Sequence, residues 1–591
     1  MNREAISRRQ MLARLGIGAV GATFATAGIV SGAPFGEGSV QNHVYGGSSD
    51  GNGKGNGRGN GHGNGSANGH ENRNSACDTP ICSLSSMLDL IGLEGGTDRE
   101  CVHLIGYRPG HTIGGGPFYW DAARPRADHN GGAVISPTVP LLPDFSNLSG
   151  FLNGIGETAP SGTGCWVRPV KAEIPLEEFG IDPTGQTDSY DVIMKAAAYA
   201  FSFNQNPPGQ SYQTNVGATL LFPRGSIRLD REVVLTGWGI HLRGHRLMTR
   251  ICNGGAFTGE AYFRFYNPAT YLSDVSCCDM AFDGRGLAVK GVVFQRCRNP
   301  VIASGLSGQY MGAALVKTLQ CDMWLIDDVF FIPLAPGSSA NGIEIISGNE
   351  GVLSRAKLFG WNDTAGTEKT NGSAVYIENN EEVKLFAVEI AFFGRYGLEA
   401  RGCFALKSYD LQAESCGLGG AILTASGTKR SIYCTFSGTN LDGVGDQKKL
   451  WIDDALGCRV LDHTAGPIEL TTKSEKCVVD ISAGGRGGGV TNTGTNNVVI
   501  SDFFGQFKVS GGVRIAGTTG KVTAEGTLAL EAATSIVPKK FMAFQSDWST
   551  LDTGGLRLGT YRLWVDSSGR LRMKNGDPTG DTDGELVGAQ S

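Results

Sequence analysis

From residue 342 onward, apolar and polar residues alternate in short runs that recur. Gly342-Ile343-Glu344-Ile345-Ile346, Ala374-Val375-Tyr376-Ile377-Glu378, Gly397-Leu398-Glu399-Ala400-Arg401 and Gly420-Ala421-Ile422-Leu423 align, and Ala374, Gly397 and Gly420 lie 23 residues apart. A second column, Val388-Glu389-Ile390 above Leu411-Gln412-Ala413, has the same 23-residue spacing. Alternation of period two marks a strand with one buried face. Strands that return at a fixed interval mark turns of a solenoid, stacked about 4.8 Å apart. From Gly342 to Ala374 the interval is 32, so that turn carries an extra polar segment, Trp361 to Gly372, expected to form a wall beside a groove.

The pattern changes upstream. Val192, Ile193, Ala196, Ala197, Ala200 and Phe203 share one helical face, which predicts a helix near 188–203 with Thr187 or Asp188 as its N-cap. Residues 76–172 hold short apolar runs between Gly, Asn and Asp turns, among them Gly114-Gly115-Gly116-Pro117-Phe118-Tyr119-Trp120-Asp121 and Gly164-Cys165-Trp166-Val167-Arg168-Pro169, and read as a small β domain.

Phe179-Gly180-Ile181-Asp182-Pro183-Thr184-Gly185-Gln186-Thr187-Asp188, the helix, and Phe222-Pro223-Arg224-Gly225 resemble the opening of the pectate-lyase-like superfamily of right-handed parallel β-helices. Two departures are visible: the first Gly of that family's turn is missing, and Ile227 stands where Tyr is usual. The Tyr-Trp-Asp and Gly-x-Trp-x-Arg pattern ahead of it resembles the segment that precedes the β-helix in phage-tailspike-like proteins. Leu556 to Asp566 and Gly576 to Gly584 resemble endings in the same group. The resemblance implies an all-β chain: a right-handed single-stranded parallel β-helix over 173–525, the small β domain at 76–172, and a β-rich tail at 526–591. It also implies polysaccharide as the substrate class and, as in tailspikes, a homotrimer.

Ser7-Arg8-Arg9-Gln10-Met11-Leu12 precedes an uncharged, Gly-rich run, so residues 1–33 read as a twin-arginine-type export signal. That run is too short and glycine-rich to span a membrane stably. The protein is expected in the periplasm or outside the cell. Residues 51–75, in which 16 of 25 residues are Gly or Asn, place a flexible linker at 34–75. The chain carries −6, and removing the net +3 of residues 1–33 leaves −9. An acidic exported chain is not built to bind nucleic acid. Its 14 cysteines show no zinc spacing, and Cys403, Cys416 and Cys434 sit inside apolar strands as buried thiols.

Alternation places Ile343, Ile345, Val375, Ile377, Leu398 and Ala400 in the bore. Glu344, Tyr376, Glu378, Glu399 and Arg401 then share one outward face. Exposed strand positions are polar without any function, so this face has weight only as a cluster. Carboxylates brought together separate in pKa, and Arg401 would hold one of them ionised. One turn across and two residues along gives a diagonal of about 8 Å, for both Glu344–Glu378 and Glu378–Glu399. Carboxylates about that far apart flank a water in inverting glycoside hydrolysis. Glu344, Glu378 and Glu399 are thus the catalytic candidates, with Tyr376 and Arg401 binding substrate. A second acidic set is Asp327-Asp328, Glu389, Asp410 and Glu414. Asp327-Asp328 resembles the paired Asp of polygalacturonases, but the rest of that pattern is absent. A lyase would need a base such as Lys384, Arg395 or Lys407, and often Ca²⁺. Trp324, Tyr376, Phe392, Phe393 and Tyr396 could stack on sugars. The expectation is an exported polysaccharide-degrading enzyme, hydrolase ahead of lyase, without a metal or cofactor in the hydrolase case. The alternative is a non-catalytic, tailspike-like carbohydrate-binding or structural surface protein.

Overall fold

A computed structural model describes residues 82–203, 217–333, 340–360, 372–443, 449–481, 489–503, 506–510, 556–558, 560–576, 578–580 and 582–588. The export signal, the Gly/Asn linker and the expected wall at 361–371 lie outside the described residues.

A five-stranded sheet comes first. It is formed by Cys82–Leu84, Cys101–Gly106, Gly114–Pro125, Val134–Ile135 and Thr163–Val167, over a core of Phe118, Trp120, Phe151 and Trp166. The Gly-x-Trp-x-Arg motif explains itself here. Trp166 is fully buried against Trp120, with ring centroids 5.2 Å apart. Arg168 is also buried, yet it emerges toward the next part of the chain. Its guanidinium donates to the carbonyls of Gly132 (3.0 Å), Gly115 (2.8 Å) and Gly114 (2.7 Å).

His129 locks the loop below this sheet. Its Nε2 donates to the Phe151 carbonyl (2.6 Å) while Nδ1 accepts the Ser136 N–H (3.0 Å), which requires the neutral ring. Burial pushes its pKa from 6.5 down to about 4, the bond to Phe151 opposing only in part. Between those pH values the unfolded chain binds a proton that the folded chain refuses. Stability is therefore intact above the unfolded value and erodes as pH falls toward about 4, by up to ~3 kcal/mol. Melting temperature measured from pH 7 to 4.5 should fall more steeply in the wild type than in His129→Asn. Parallel slopes would remove His129 as the cause.

The helix runs Tyr190–Phe201 and buries Val192, Ile193, Ala196, Ala197 and Ala200 against the end of the main core. Phe203 packs at its rim. Its N-cap is Ser189, not Thr187 or Asp188. Thr187 is occupied elsewhere: its N–H and hydroxyl both donate to Asp182, which also accepts from Thr184. Asp188 accepts from the Asp230 N–H (3.2 Å) and pairs with Arg231 (3.2 Å), and its Oδ1 also accepts the Tyr190 N–H at the first helical residue (3.3 Å), while the Ser189 side chain makes no cap bond. The entry motif is therefore a structural turn.

Beyond it the chain winds as a right-handed parallel β-helix. One wall is an 11-stranded parallel sheet, ordered Arg231–Leu235, Thr258–Tyr266, Lys290–Gln295, Val316–Leu319, Ile343–Ile346, Val375–Glu378, Tyr396–Arg401, Gly419–Thr424, Leu450–Ile452, Ile468–Leu470 and Val490–Asn492. Ile343, Val375, Leu398, Ala421, Leu450 and Ile468 are register partners, as the repeat predicts. Val388 opposes Leu411 on the other wall. The bore is one continuous core from Ala133 to Val499. Corners recur at residues in the left-handed conformation, several to a turn, among them Asp328 (φ 52°), Arg355 (49°), Ala387 (50°), Asp410 (56°) and Asp462 (51°).

Cys403, Cys416 and Cys434 are buried, as read, and burial pushes the Cys403 thiol up to about 12. A four-stranded antiparallel sheet, Leu556–Leu558, Tyr561–Val565, Leu571–Asn575 and Glu585–Leu586, forms the tail. Among the described residues no helix is long and apolar enough to cross a membrane.

Candidate functional site

Parallel register turns the alternation into two outward columns on the long sheet. Lys317, Glu344, Tyr376, Glu399, Ile422, Trp451 and Glu469 form one. Ile346, Glu378, Arg401 and Thr424 form the other, two residues along. All five residues expected at the site are thus neighbours on three successive turns, and the register sets Glu344–Glu378 and Glu378–Glu399 each one turn across and two residues along.

Burial separates the three carboxylates. Glu399 is not an exposed outward group, for only 2% of it is accessible. Arg395 reaches it at 2.9 Å, Arg401 bonds it through Nε at 2.8 Å and again through Nη2, and the Ser373 hydroxyl donates at 2.5 Å. A carboxylate taken out of water needs such partners. Glu399 is therefore the anchor that holds two guanidinium groups at the surface, and it is itself shielded from solvent.

Glu344 and Glu378 are half-buried. The Asn341 amide donates to Oε1 of Glu344 (3.1 Å), and among the described residues Oε2 has no partner. Both oxygens of Glu378 accept: Oε1 from the Ser426 hydroxyl (2.6 Å), Oε2 from the Tyr376 hydroxyl (3.0 Å). Burial, and then the Glu378 carboxylate, push Tyr376 up to about 12, so its proton stays in that bond. The Arg401 guanidinium lies 5.7 Å from the centre of the Tyr376 ring. Further along the first column, Lys449 covers the Trp451 ring at 4.1 Å and pairs with Glu469 at 2.8 Å. The residues that the sequence reading missed are Asn341, Ser373, Ser426, Lys449 and Trp451. Trp451 lay within reach of the alternation, two turns beyond Glu399 in the same column. The others bond in from turns and strand edges, where no period marks them.

The second acidic set is dispersed. Asp327 is paired with Arg355 and accepts the Ser354 hydroxyl (2.6 Å), and Asp328 pairs with Arg246 (2.5 Å). Glu389 pairs with Lys357 (3.1 Å), and Asp410 is a corner residue. Glu414 differs: it adjoins Asp442 in register, and burial followed by that charge raise its pKa. Of the aromatics, Trp324 and Phe393 are buried in the core, while Phe392, Tyr376 and Tyr396 are partly accessible. Lys384 and Lys407 leave from the other wall, away from the three carboxylates. Among the described residues no group of three or more His, Cys, Asp or Glu is gathered as a metal-binding set.

Residues 83–171 match the family model for the phage tail protein small four-stranded β-sheet domain, and residues 513–589 match the model for capsule depolymerase. No curated protein matches the sequence. Among solved structures, the gp42 tailspike of Acinetobacter phage vb_AbaP_AS12 is similar at 11% identity and TM-score 0.52, over 76% of this chain and 78% of that one. WceF of Pantoea stewartii, described as a glycan biofilm modifying enzyme, is 14% identical with a TM-score of 0.42, over 75% of this chain and 53% of that one. PfbA, a surface adhesin of Streptococcus pneumoniae, is 13% identical with a TM-score of 0.39, over 57% of this chain and 100% of that one. Opening sheet, β-helix and the similarity to the AS12 tailspike agree: in fold the chain is a tailspike-like right-handed parallel β-helix carrying a small N-terminal β domain.

Proposed function

We propose that the protein hydrolyses an extracellular polysaccharide across the outward face of the long sheet. Glu344, one of whose oxygens has no partner among the described residues, is the general acid. Glu378 accepts at both oxygens and is the base that activates water. The diagonal of about 8 Å between them leaves room for that water and points to inversion at the sugar carbon. Arg401, held by Glu399, and Tyr376 bind substrate.

The observation that carries this reading is the environment of Glu378. The nearest tyrosine is committed as a donor to it, and the arginines at the face are committed to Glu399. Neither is free to abstract a proton as a lyase base would, and the remaining lyase candidates, Lys384 and Lys407, stand on the other wall. The match of residues 513–589 to a capsule depolymerase model supports a polymer-degrading role. Export through the twin-arginine signal and assembly as a homotrimer belong to the same proposal.

The test is purified protein on a panel of bacterial and plant polysaccharides, reading new reducing ends and the absorbance of unsaturated uronates. Reducing ends alone support hydrolysis. Both signals together make it a lyase. Binding without either makes it a non-catalytic surface protein.

A further inference from the structure

The wall beside the long sheet carries a second unusual surface. Lys384, Lys407, Thr435, Arg459 and Val478 are register partners on successive turns and point outward. Lys384, Lys407 and Arg459 are exposed, and none of them makes an ion pair with a described residue. Neighbouring strands stand about 4.8 Å apart, so Lys384 and Lys407 repel each other, and Arg459 follows two turns on. Unrelieved positive charge is out of keeping with a chain that is acidic overall.

Rings flank this column on both sides. Two residues along, Phe386 and Tyr409 stack with centroids 5.1 Å apart and planes 9° apart, yet stay 39% and 37% exposed. Two residues before Thr435, Tyr433 is 59% exposed, propped edge-on by Phe404 at 6.0 Å. Four of the six exposed aromatic side chains among the described residues lie here. Tyr433 lies over Gly457 on the next turn, where a Cβ would come within 2.8 Å of the ring. A groove of about 570 Å³ lies beside it, lined by Tyr433, Arg459 and Lys476 among others. Lys476 is the one of these cations with a partner, Glu475 at 3.1 Å.

We propose that this wall is an accessory, non-catalytic binding surface for a carboxylated polysaccharide strand. Ring faces take the apolar faces of sugars. Unpaired ammonium and guanidinium groups take carboxylates. Lys407 and Arg459 are two strand spacings apart, about 10 Å, close to a disaccharide repeat in an extended chain. A second copy of the same face would set cation against cation, which argues for an anionic ligand over self-association. The surface is separate from the Glu344/Glu378 face and stands whether or not that face is catalytic.

The experiment is fluorescence anisotropy with labelled oligogalacturonate and oligoalginate, with neutral maltooligosaccharide as control, at low and high salt. Wild type should bind at least one uronate oligomer, weaken as salt rises, and ignore the neutral chain. Lys407→Gln/Arg459→Gln should weaken binding at least tenfold and flatten the salt dependence. Tyr433→Ala should weaken it about fivefold at every salt concentration. These positions are exposed, so folding should be unchanged, and circular dichroism checks it. The proposal is overturned if wild type binds neither uronate oligomer, or if the double variant stays within twofold of it. It is also overturned if sedimentation shows that these variants lose an assembly, since the face would then be an interface between copies.

Discussion

Glu378→Gln and Glu344→Gln should each lower turnover by about 10²–10⁴-fold while melting temperature holds. The change keeps the side chain's shape and removes its capacity to carry a proton. Both residues are half-buried; in Glu378→Gln the amide nitrogen replaces one accepting oxygen, so one of its two hydroxyl partners must turn to accept, and stability should fall by no more than about 1 kcal/mol. Glu399→Gln should behave differently. It leaves Arg395 and Arg401 without their shared counter-charge, and those arginines are partly exposed, so the stability loss is modest, about 1–2 kcal/mol. Its kinetic effect should fall mainly on KM, because Arg401 is released from its position. Steady-state kinetics of the three variants beside thermal melts make the comparison. Wild-type turnover in both Glu344→Gln and Glu378→Gln would move the site off this face. Glu414, with its raised pKa beside Asp442, would then be the next carboxylate to replace.

Arg168→Met should be the most damaging substitution in the N-terminal sheet, at about 3–5 kcal/mol. Methionine fills most of the volume but leaves three glycine carbonyls without donors. It also removes the guanidinium that stacks 4.2 Å from the centre of the Phe118 ring and stands 3.7 Å from the Glu178 carboxylate. Glu178 would keep only Lys171, at 2.6 Å. In a unit of this size such a loss lowers the melting midpoint by upward of about 10 °C. Trp120 and Trp166 lie in the same core, so tryptophan fluorescence reports this transition. A midpoint within about 2 °C of wild type would show that water replaces the guanidinium at those carbonyls.

The repeat was legible because one turn of the coil must return its apolar residues to the same bore. That constraint writes a period into the chain, and Ile343, Val375, Leu398 and Ala421 meet in register where the spacing puts them. The helix face was legible for a similar reason, since Val192, Ile193, Ala196, Ala197 and Ala200 need one common side. Its N-cap was not. Thr187 is drawn back onto Asp182, and Asp188 is shared with Asp230 and Arg231, which arrive some forty residues later.

The sequence by itself determined the coil and which residues look outward together, because local alternation and spacing carry that information. Only the tertiary structure decided what each outward residue became. Glu344 and Glu399 stand in one column and Glu378 two residues along, all at outward positions of the alternation. Glu399 alone is buried, because Arg395 reaches back from the strand edge, Arg401 folds onto it and Ser373 closes beneath it. Lys384, Lys407, Phe386 and Tyr433 likewise look like ordinary surface residues along the chain. They form a charged strip flanked by rings only once the turns are stacked, because a column perpendicular to the strands has no local signature in the sequence.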